Sequence, residues 1–424
     1  MSLKKNFLSF FFSLISIYAI LNIFHSSISF DWTFEDWLIN YEGGFVRRGL
    51  SGEIISRISN FFVGESKQFY FGIQIHFAYF YILSILCLIF YVLLFKFLKK
   101  EKLNFQNLFI ILSPLSISFI IYNFAAIGRK EVLFFIIFLL FIFLLSSIKK
   151  RELSIFFLII FFPLVLLLHE GLIFFISAFL VIFLFEINTF NKKFILSTIL
   201  IFVLLSFGVF ILTVIFKGDL AQIKAICLSL SSYPLEDCFG LSAIGTLSSS
   251  LAPATSGNEF NILWGRVFKD KYLFYYPIFA IIAFYPLIKS SFNYCFNISV
   301  GNKIYKLNFS TIAIIYFVNS LPLYIFTHDW GRWLHINYIL LMITFFYLKR
   351  VNKIYPKNSR KFELITDNQN YLKKILLSIV LIFYSTGLSV SYFGGYPHWI
   401  HNYTTMDDQF KFYFNVIKTI PNLF

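Results

Sequence analysis

Long apolar runs, broken by short charged segments, constrain this chain more than any other feature. An α-helix rises 1.5 Å per residue, so about 17–23 mainly apolar residues cross the hydrocarbon core of a bilayer. Such runs fall at about residues 7–24, 72–95, 106–125, 131–148, 153–168, 171–187, 194–216, 273–288, 310–326, 334–348 and 375–393. With 58% hydrophobic and only 13% charged residues over 424 positions, the chain exceeds what a soluble core needs. The expectation is an all-α, polytopic integral membrane protein with about eleven transmembrane helices in one domain, 1–424. The first run follows Lys4-Lys5 and lacks a small-residue cleavage site before His25-Ser26, which predicts an uncleaved helix.

Charge sets the orientation. With the N-terminus inside and the C-terminus outside, the inner segments hold 22 Lys+Arg against 5 Asp+Glu, and the outer segments 14 against 16. That asymmetry is what the positive-inside rule requires, so the formal charge of +15 is a topology signal and no nucleic-acid partner is expected. Topology does not explain why six of the 14 outer cations are arginine, nor why all seven histidines lie on or near the outer side. Outer loops are expected at about 26–71 and 217–272, with an outer tail at about 394–424. Cys227 and Cys238 in the second loop suit a disulfide, and no cysteine–histidine cluster suits zinc.

The outer segments carry the chemistry. Tyr41–Glu53 packs Arg47, Arg48, two glutamates and four glycines into thirteen residues. Paired guanidiniums suit phosphate oxygens, and glycines let backbone N–H groups approach a ligand. Residues 50–62 follow with helical apolar spacing and a Glu53–Arg57 pair, predicting a short amphipathic helix on the outer surface. Further motifs open even-numbered helices: Gly128-Arg129-Lys130-Glu131, His169-Glu170-Gly171, Trp264-Gly265-Arg266 and His328-Asp329-Trp330-Gly331-Arg332-Trp333. Helix N-termini carrying arginines attract anions. Arg47, Arg48, Arg129, Lys130, Arg266, His328 and Arg332 are therefore expected to hold a pyrophosphate. Trp330 or Trp333 would stack a sugar, and Asp329 or His169 would take a proton from an acceptor hydroxyl. Guanidiniums supply the charge stabilisation a divalent ion would otherwise give, so neither metal nor cofactor is expected.

Arg129-Lys130-Glu131 opening a helix, the Lys149-Lys150-Arg151 turn, and a helix ending at His169-Glu170-Gly171 resemble the bacterial O-antigen (Wzy-type) and related exopolysaccharide polymerases. The resemblance covers about residues 105–185 and departs from the family at Glu170-Gly171, where a small hydroxyl residue usually follows the histidine. It implies polymerisation of undecaprenyl-pyrophosphate-linked repeat units at the periplasmic face of the bacterial inner membrane. Arg129 would sit at the pyrophosphate with His169 nearby, and a chain-length regulator would be a further partner. A second resemblance competes with it. A first outer loop with paired carboxylates, Glu35-Asp36, followed by an amphipathic helix looks like the multi-pass (GT-C type) glycosyltransferases that use polyprenyl-phosphate sugars. There the carboxylates act as base or metal ligand, and Arg47-Arg48 would grip the phosphate. A lipid-linked-glycan flippase fits less well, because the spans carry no charge at mid-depth.

Overall fold

A computed structural model describes residues 2–29, 32–63, 71–101, 103–123, 126–147, 151–186, 192–230, 238, 242–248, 267–268, 272–300, 303–327, 329–357 and 371–386. The expected tail at 394–424, Arg266 and His328 lie outside them. Fifteen α-helices dominate the described residues. In chain order they are α1 Ser2–Ser29, α2 Trp32–Leu38, α3 Gly49–Val63, α4 Phe71–Leu98, α5 Phe105–Ile111, α6 Phe119–Tyr122, α7 Glu131–Leu145 and α8 Arg151–Leu168. After a 3-10 turn at Glu170–Phe175 come α9 Ile176–Glu186, α10 Lys192–Ile215, α11 Leu220–Ser229, α12 Tyr272–Phe292, α13 Ser310–Phe326, α14 Trp330–Arg350 and α15 Tyr371–Thr386.

Within these, Asn6–Ser27, Ile75–Leu98, Leu196–Ile215 and Tyr272–Phe292 are long and apolar enough to cross a membrane. Exposure explains their composition. On α10, Leu196, Leu200, Leu204, Phe207, Ile211 and Ile215 recur every three or four residues and face outward, while Phe202, Ser206 and Thr213 face inward. An apolar stripe without protein cover needs lipid as its solvent. The reverse pattern marks α14. Trp330–Leu348 is buried almost throughout, and α14 packs against α13, α12, α7 and α9. Its polar side chains bond to those neighbours: Asn337 Nδ2 donates to Ser320 Oγ at 2.8 Å, and Thr344 Oγ1 pairs with Tyr316 Oη at 2.8 Å. This helix is central, and protein neighbours rather than lipid surround its polar side chains.

Two expectations need correction and one an addition. The run at 106–125 is not one continuous helix: α5 stops at Ile111 and α6 covers four residues. Pro114 disfavours helical backbone at Ser113, and Ser118 Oγ donates to the carbonyls of Ser113 (2.7 Å) and Leu112 (3.2 Å), diverting the chain into turns. The all-α class stands, with one small sheet beside the helices. β1 Tyr294–Val300 and β2 Lys303–Asn308 form an antiparallel hairpin, with β3 Tyr355–Pro356 on the other edge of β1. Ile298 and Tyr305 belong to the β-branched and aromatic residues that suit strands; their segment was expected only as a basic inner loop. Finally, the glycines near Arg47 serve the fold rather than a ligand. A Cβ on Gly49 would collide with the Tyr41 ring and one on Gly52 with the Ile39 carbonyl, to which Gly52 N–H donates at 3.0 Å. These close approaches lock α3 onto the end of α2.

The amphipathic helix is present as α3, packed on α2 and α4, with Glu53 and Arg57 paired at 2.6 Å. Cys227 and Cys238 form the expected disulfide, and both are buried. Closing so short a loop restricts the unfolded chain by about 2–3 kcal/mol. Replacing both by serine is expected to lower unfolding free energy by that amount, and a thermal melt of purified protein checks it.

Candidate functional site

The end of the bundle that carries α2 and α3 also gathers the N-termini of α7 and α14 and the turn after α8. The chain folds this way for local reasons. Trp37 Nε1 donates to Gly128 O at 2.6 Å, tying α2 to the turn before α7, and Gly128 takes φ +71° there, which a Cβ would oppose. Arg48 takes φ +63°, a conformation that costs a non-glycine residue about 1 kcal/mol or more. It aims the Arg48 carbonyl at Lys130 Nζ, 3.3 Å away, and the guanidinium toward Glu170.

A buried charge network results. Arg48 grips Glu170 with two nitrogens, Nη2 at 2.6 Å and Nε at 2.9 Å. Arg47 Nη1 stands 3.7 Å from the same carboxylate, and its Nη2 donates to Leu247 O at 3.0 Å. Asp36, on α2, lies 3.4 Å from Lys130 Nζ and 3.7 Å from Arg48 Nη1. Arg332 bonds Glu131 and stands 3.4 Å from Asp329, so the N-termini of α14 and α7 are joined directly. Lys130 is 0% exposed, Glu170 1% and Asp36 2%, whereas the Arg48 side chain keeps 22% of its surface and forms the open edge. Arg47, Arg48, Arg129, Lys130 and Arg332 face Asp36, Glu131, Glu170 and Asp329, five cations against four carboxylates.

Burial and neighbours set the protonation states. Burial alone would raise the Asp36 carboxyl, but Lys130, Arg48, Arg129 and Arg332 outweigh it and hold it below the usual range. Glu170 is likewise pushed up by burial and pulled further down by Arg48 and Arg47, so it stays ionised. His169 is driven well below the ordinary imidazole range by burial and then by Arg332 and Arg48. It is neutral, and its Nδ1 accepts from Gly171 N–H at 3.2 Å, which leaves the proton on Nε2. Burial pulls the Lys130 amine down to about 8, against the opposing pull of Asp36.

Several sequence-predicted residues converge here: Arg47, Arg48, Arg129, Lys130, His169, Asp329 and Arg332. The arginines expected to hold an external anion instead meet internal carboxylates, because a buried guanidinium needs a counter-charge. His169 accepts from Gly171 N–H, and Asp329 is paired with Arg332. Trp330 is not open to a sugar. Its ring packs against Tyr272 (5.7 Å), Tyr276 (5.6 Å) and Tyr324 (5.9 Å), and its Nε1 donates to Thr327 O at 3.1 Å. Of the alternative carboxylates, Glu35 accepts from Ala243 N at 2.9 Å, and Asp36 alone stands between the cations. Sequence reading missed Glu170 and Glu131 as anchors. The available signal was a carboxylate directly following each basic or histidine motif. Among the described residues no group of three His, Cys, Asp or Glu side chains is placed to hold a metal ion.

The family model described as uncharacterised membrane protein Rv1490 matches residues 9–256, which carry Asp36, Arg47, Arg48, Arg129–Glu131 and His169-Glu170. No curated protein and no solved structure matches the chain. The match covers more than half of the 424 residues, and the chain therefore belongs to the membrane protein family Rv1490.

Proposed function

We propose that this protein is a multi-pass membrane glycosyltransferase that takes its sugar from a polyprenyl-phosphate donor. In this reading the N-terminus lies in the cytoplasm, about eleven segments cross the bacterial inner membrane, and the charge network faces the periplasm. One observation carries it. Asp36, on a short helix in the first loop after α1 and just before the amphipathic α3, is an ionised carboxylate surrounded by Lys130, Arg48, Arg129 and Arg332. A carboxylate beside a cluster of cations is the pair that sugar transfer needs. Asp36 takes the proton from the acceptor hydroxyl, whose oxygen bonds to the sugar's anomeric carbon. The bond from that carbon to the phosphate oxygen breaks, and the electron pair leaves with the phosphate. The network's surplus positive charge receives that anion, and preorganised guanidiniums stabilise it more than water would. Lys130 and Arg48 already occupy the ion-pairing positions at Asp36, so transfer is expected to continue in excess EDTA.

A second reading, the repeat-unit polymerase, draws on the joining of Arg332 to the Arg129–Glu131 turn, since two arginines at facing helix ends suit a pyrophosphate. Purified protein in proteoliposomes separates the two. A polyprenyl-monophosphate sugar should be consumed and a pyrophosphate-linked oligosaccharide ignored. The reverse result selects the polymerase, and consumption of neither defeats both.

Lys130 gives the reaction an alkaline limit. The rate should fall as pH rises through about 8, where the folded amine loses its proton. Unfolding driven by this group is not the cause. Between about 8 and the ordinary 10.5 the unfolded chain binds the proton and the folded chain does not, so this group's contribution to stability rises with pH there. Lys130→Arg should carry the falling limb to higher pH, and a rate–pH profile of both proteins checks it.

A further inference from the structure

The far end of α14 meets the small sheet. The helix has 21 residues, so that end stands roughly 30 Å from the Asp36 network, about the thickness of a bilayer's hydrocarbon core. Tyr294 and Phe309 pack on the Phe345 ring at 5.3 and 5.2 Å and hold the sheet there. The β1–β2 hairpin joins α12 to α13, and both helices turn apolar side chains outward, among them Ile281 and Tyr285 on α12 and Ile314 and Val318 on α13. With lipid against those helices, the sheet lies at headgroup depth in the leaflet opposite the Asp36 network.

Charge on this face is one-sided. From Tyr272 to Lys357 the only carboxylate is Asp329, at the opposite end of α14. Apart from its partner Arg332, every other charge in that stretch is a lysine or arginine on the sheet or beside it. Arg350 is committed to Glu101, and Lys353 donates to Phe185 O at 2.9 Å. The remaining lysines meet tyrosines. Lys306 Nζ stands 5.6 Å from the Tyr355 ring centre, Lys349 Nζ 5.5 Å from that of Tyr294 and Lys289 Nζ 5.6 Å from that of Tyr285. A ring face attracts an ammonium without neutralising it. Lys357 is exposed, and its backbone N–H donates to Asn293 O at 2.8 Å, which fixes it beside β1. Lys306, Lys349 and Lys357 have no ion pair among the described residues.

We infer that this lysine–tyrosine face binds the headgroups of anionic phospholipids. Lys306, Lys349 and Lys357 meet the phosphate diesters. Tyr285 and Tyr305, both exposed, stand at the boundary, where a tyrosine keeps its ring among methylenes and its hydroxyl in water. An acidic protein segment would offer the same charge. Lipid is favoured because the face meets the lipid-facing stripe of α12 at Tyr285, whose own ring carries Lys289. Lysines spread along a sheet, rather than gathered in one pocket, suit several headgroups held side by side.

Native mass spectrometry of the full chain in uncharged detergent tests this, with phosphatidylglycerol, phosphatidylcholine, inorganic phosphate or a polyglutamate peptide added. Phosphatidylglycerol should be retained about fivefold better than phosphatidylcholine, the margin of one lysine at an anionic headgroup. Lys306→Gln/Lys357→Gln should make the two lipids equal, and Lys306→Arg/Lys357→Arg should keep the preference. Both lysines are exposed, so neither change empties the core. Lys217→Gln/Lys224→Gln removes the same charge at the Asp36 end, where Phe216 O accepts from Arg47 N, and should leave the preference intact. An unchanged preference in Lys306→Gln/Lys357→Gln would overturn the surface. Equal loss in both glutamine pairs would make net charge the cause and overturn it too. Retention of inorganic phosphate or of the peptide as strong as that of phosphatidylglycerol would overturn the lipid assignment.

Discussion

Asp36→Asn is expected to slow sugar transfer by about 10²–10⁴-fold, the contribution of a positioned general base. An amide keeps the shape of the side chain and its place on α2 but cannot take the acceptor's proton. The same change leaves Lys130 without its nearest carboxylate, and that buried amine is already held at about 8, so it responds by releasing its proton more readily. Loss of activity would therefore come with a lower alkaline limit in any residual rate. Glu35→Gln is the control. Glu35 holds Ala243 N–H, which an amide oxygen also accepts, so most activity should remain. Asp329→Asn separates the candidates for the base. Asp329 lies 3.4 Å from Arg332 in an i,i+3 pair, a placement that orients the guanidinium. If Asp36→Asn retains more than about a tenth of the rate while Asp329→Asn loses it, the base has been misassigned.

How much of this was legible in the sequence depends on which force placed each residue. Helices that face lipid were plain, because lipid selects composition directly: the run expected at 310–326 is α13, and 194–216 lies within two residues of α10 at either end. The broken segment at 106–125 was hidden because its breaks are made by Ser113-Pro114 and Ser118, which bond locally inside a run whose mean hydropathy remains high. The motifs at Arg47-Arg48, Arg129–Glu131, His169-Glu170 and Arg332 do meet at one end, since charge can be buried there only beside other charge. Their partners were not visible. Glu170 lies 122 residues from Arg48 and Glu131 lies 201 from Arg332, and no periodicity links residues that far apart. Reading Arg48 as a ligand-binding group and Glu170 as a departure from a motif came from considering each motif alone. The fold makes them one pair.

That pair supports the largest stability effect expected here. Glu170→Gln should destabilise the protein by about 3–5 kcal/mol, because removing one member of a buried ion pair strands the other. Arg47, at 6% side-chain exposure, loses the carboxylate 3.7 Å from its Nη1 and retains its bond to Leu247 O. Arg48, at 22%, retains Asp36 and some water, so its share of the loss is the smaller. The pH dependence has a definite sign. The folded carboxyl sits well below its ordinary 4.5, so its contribution is complete above that value and is lost only as pH falls through the folded value. The gap between wild type and Glu170→Gln should therefore be constant from about pH 5 to 8 and close only in stronger acid. Adding Arg47→Met to Glu170→Gln should recover part of the loss, since an apolar side chain of similar length needs no counter-charge. Thermal melts of the three proteins in one detergent, at pH 5 and pH 8, measure all of this. A Glu170→Gln protein as stable as wild type would show that water already reaches the network, and the low-dielectric site on which the Asp36 chemistry depends would fall with it.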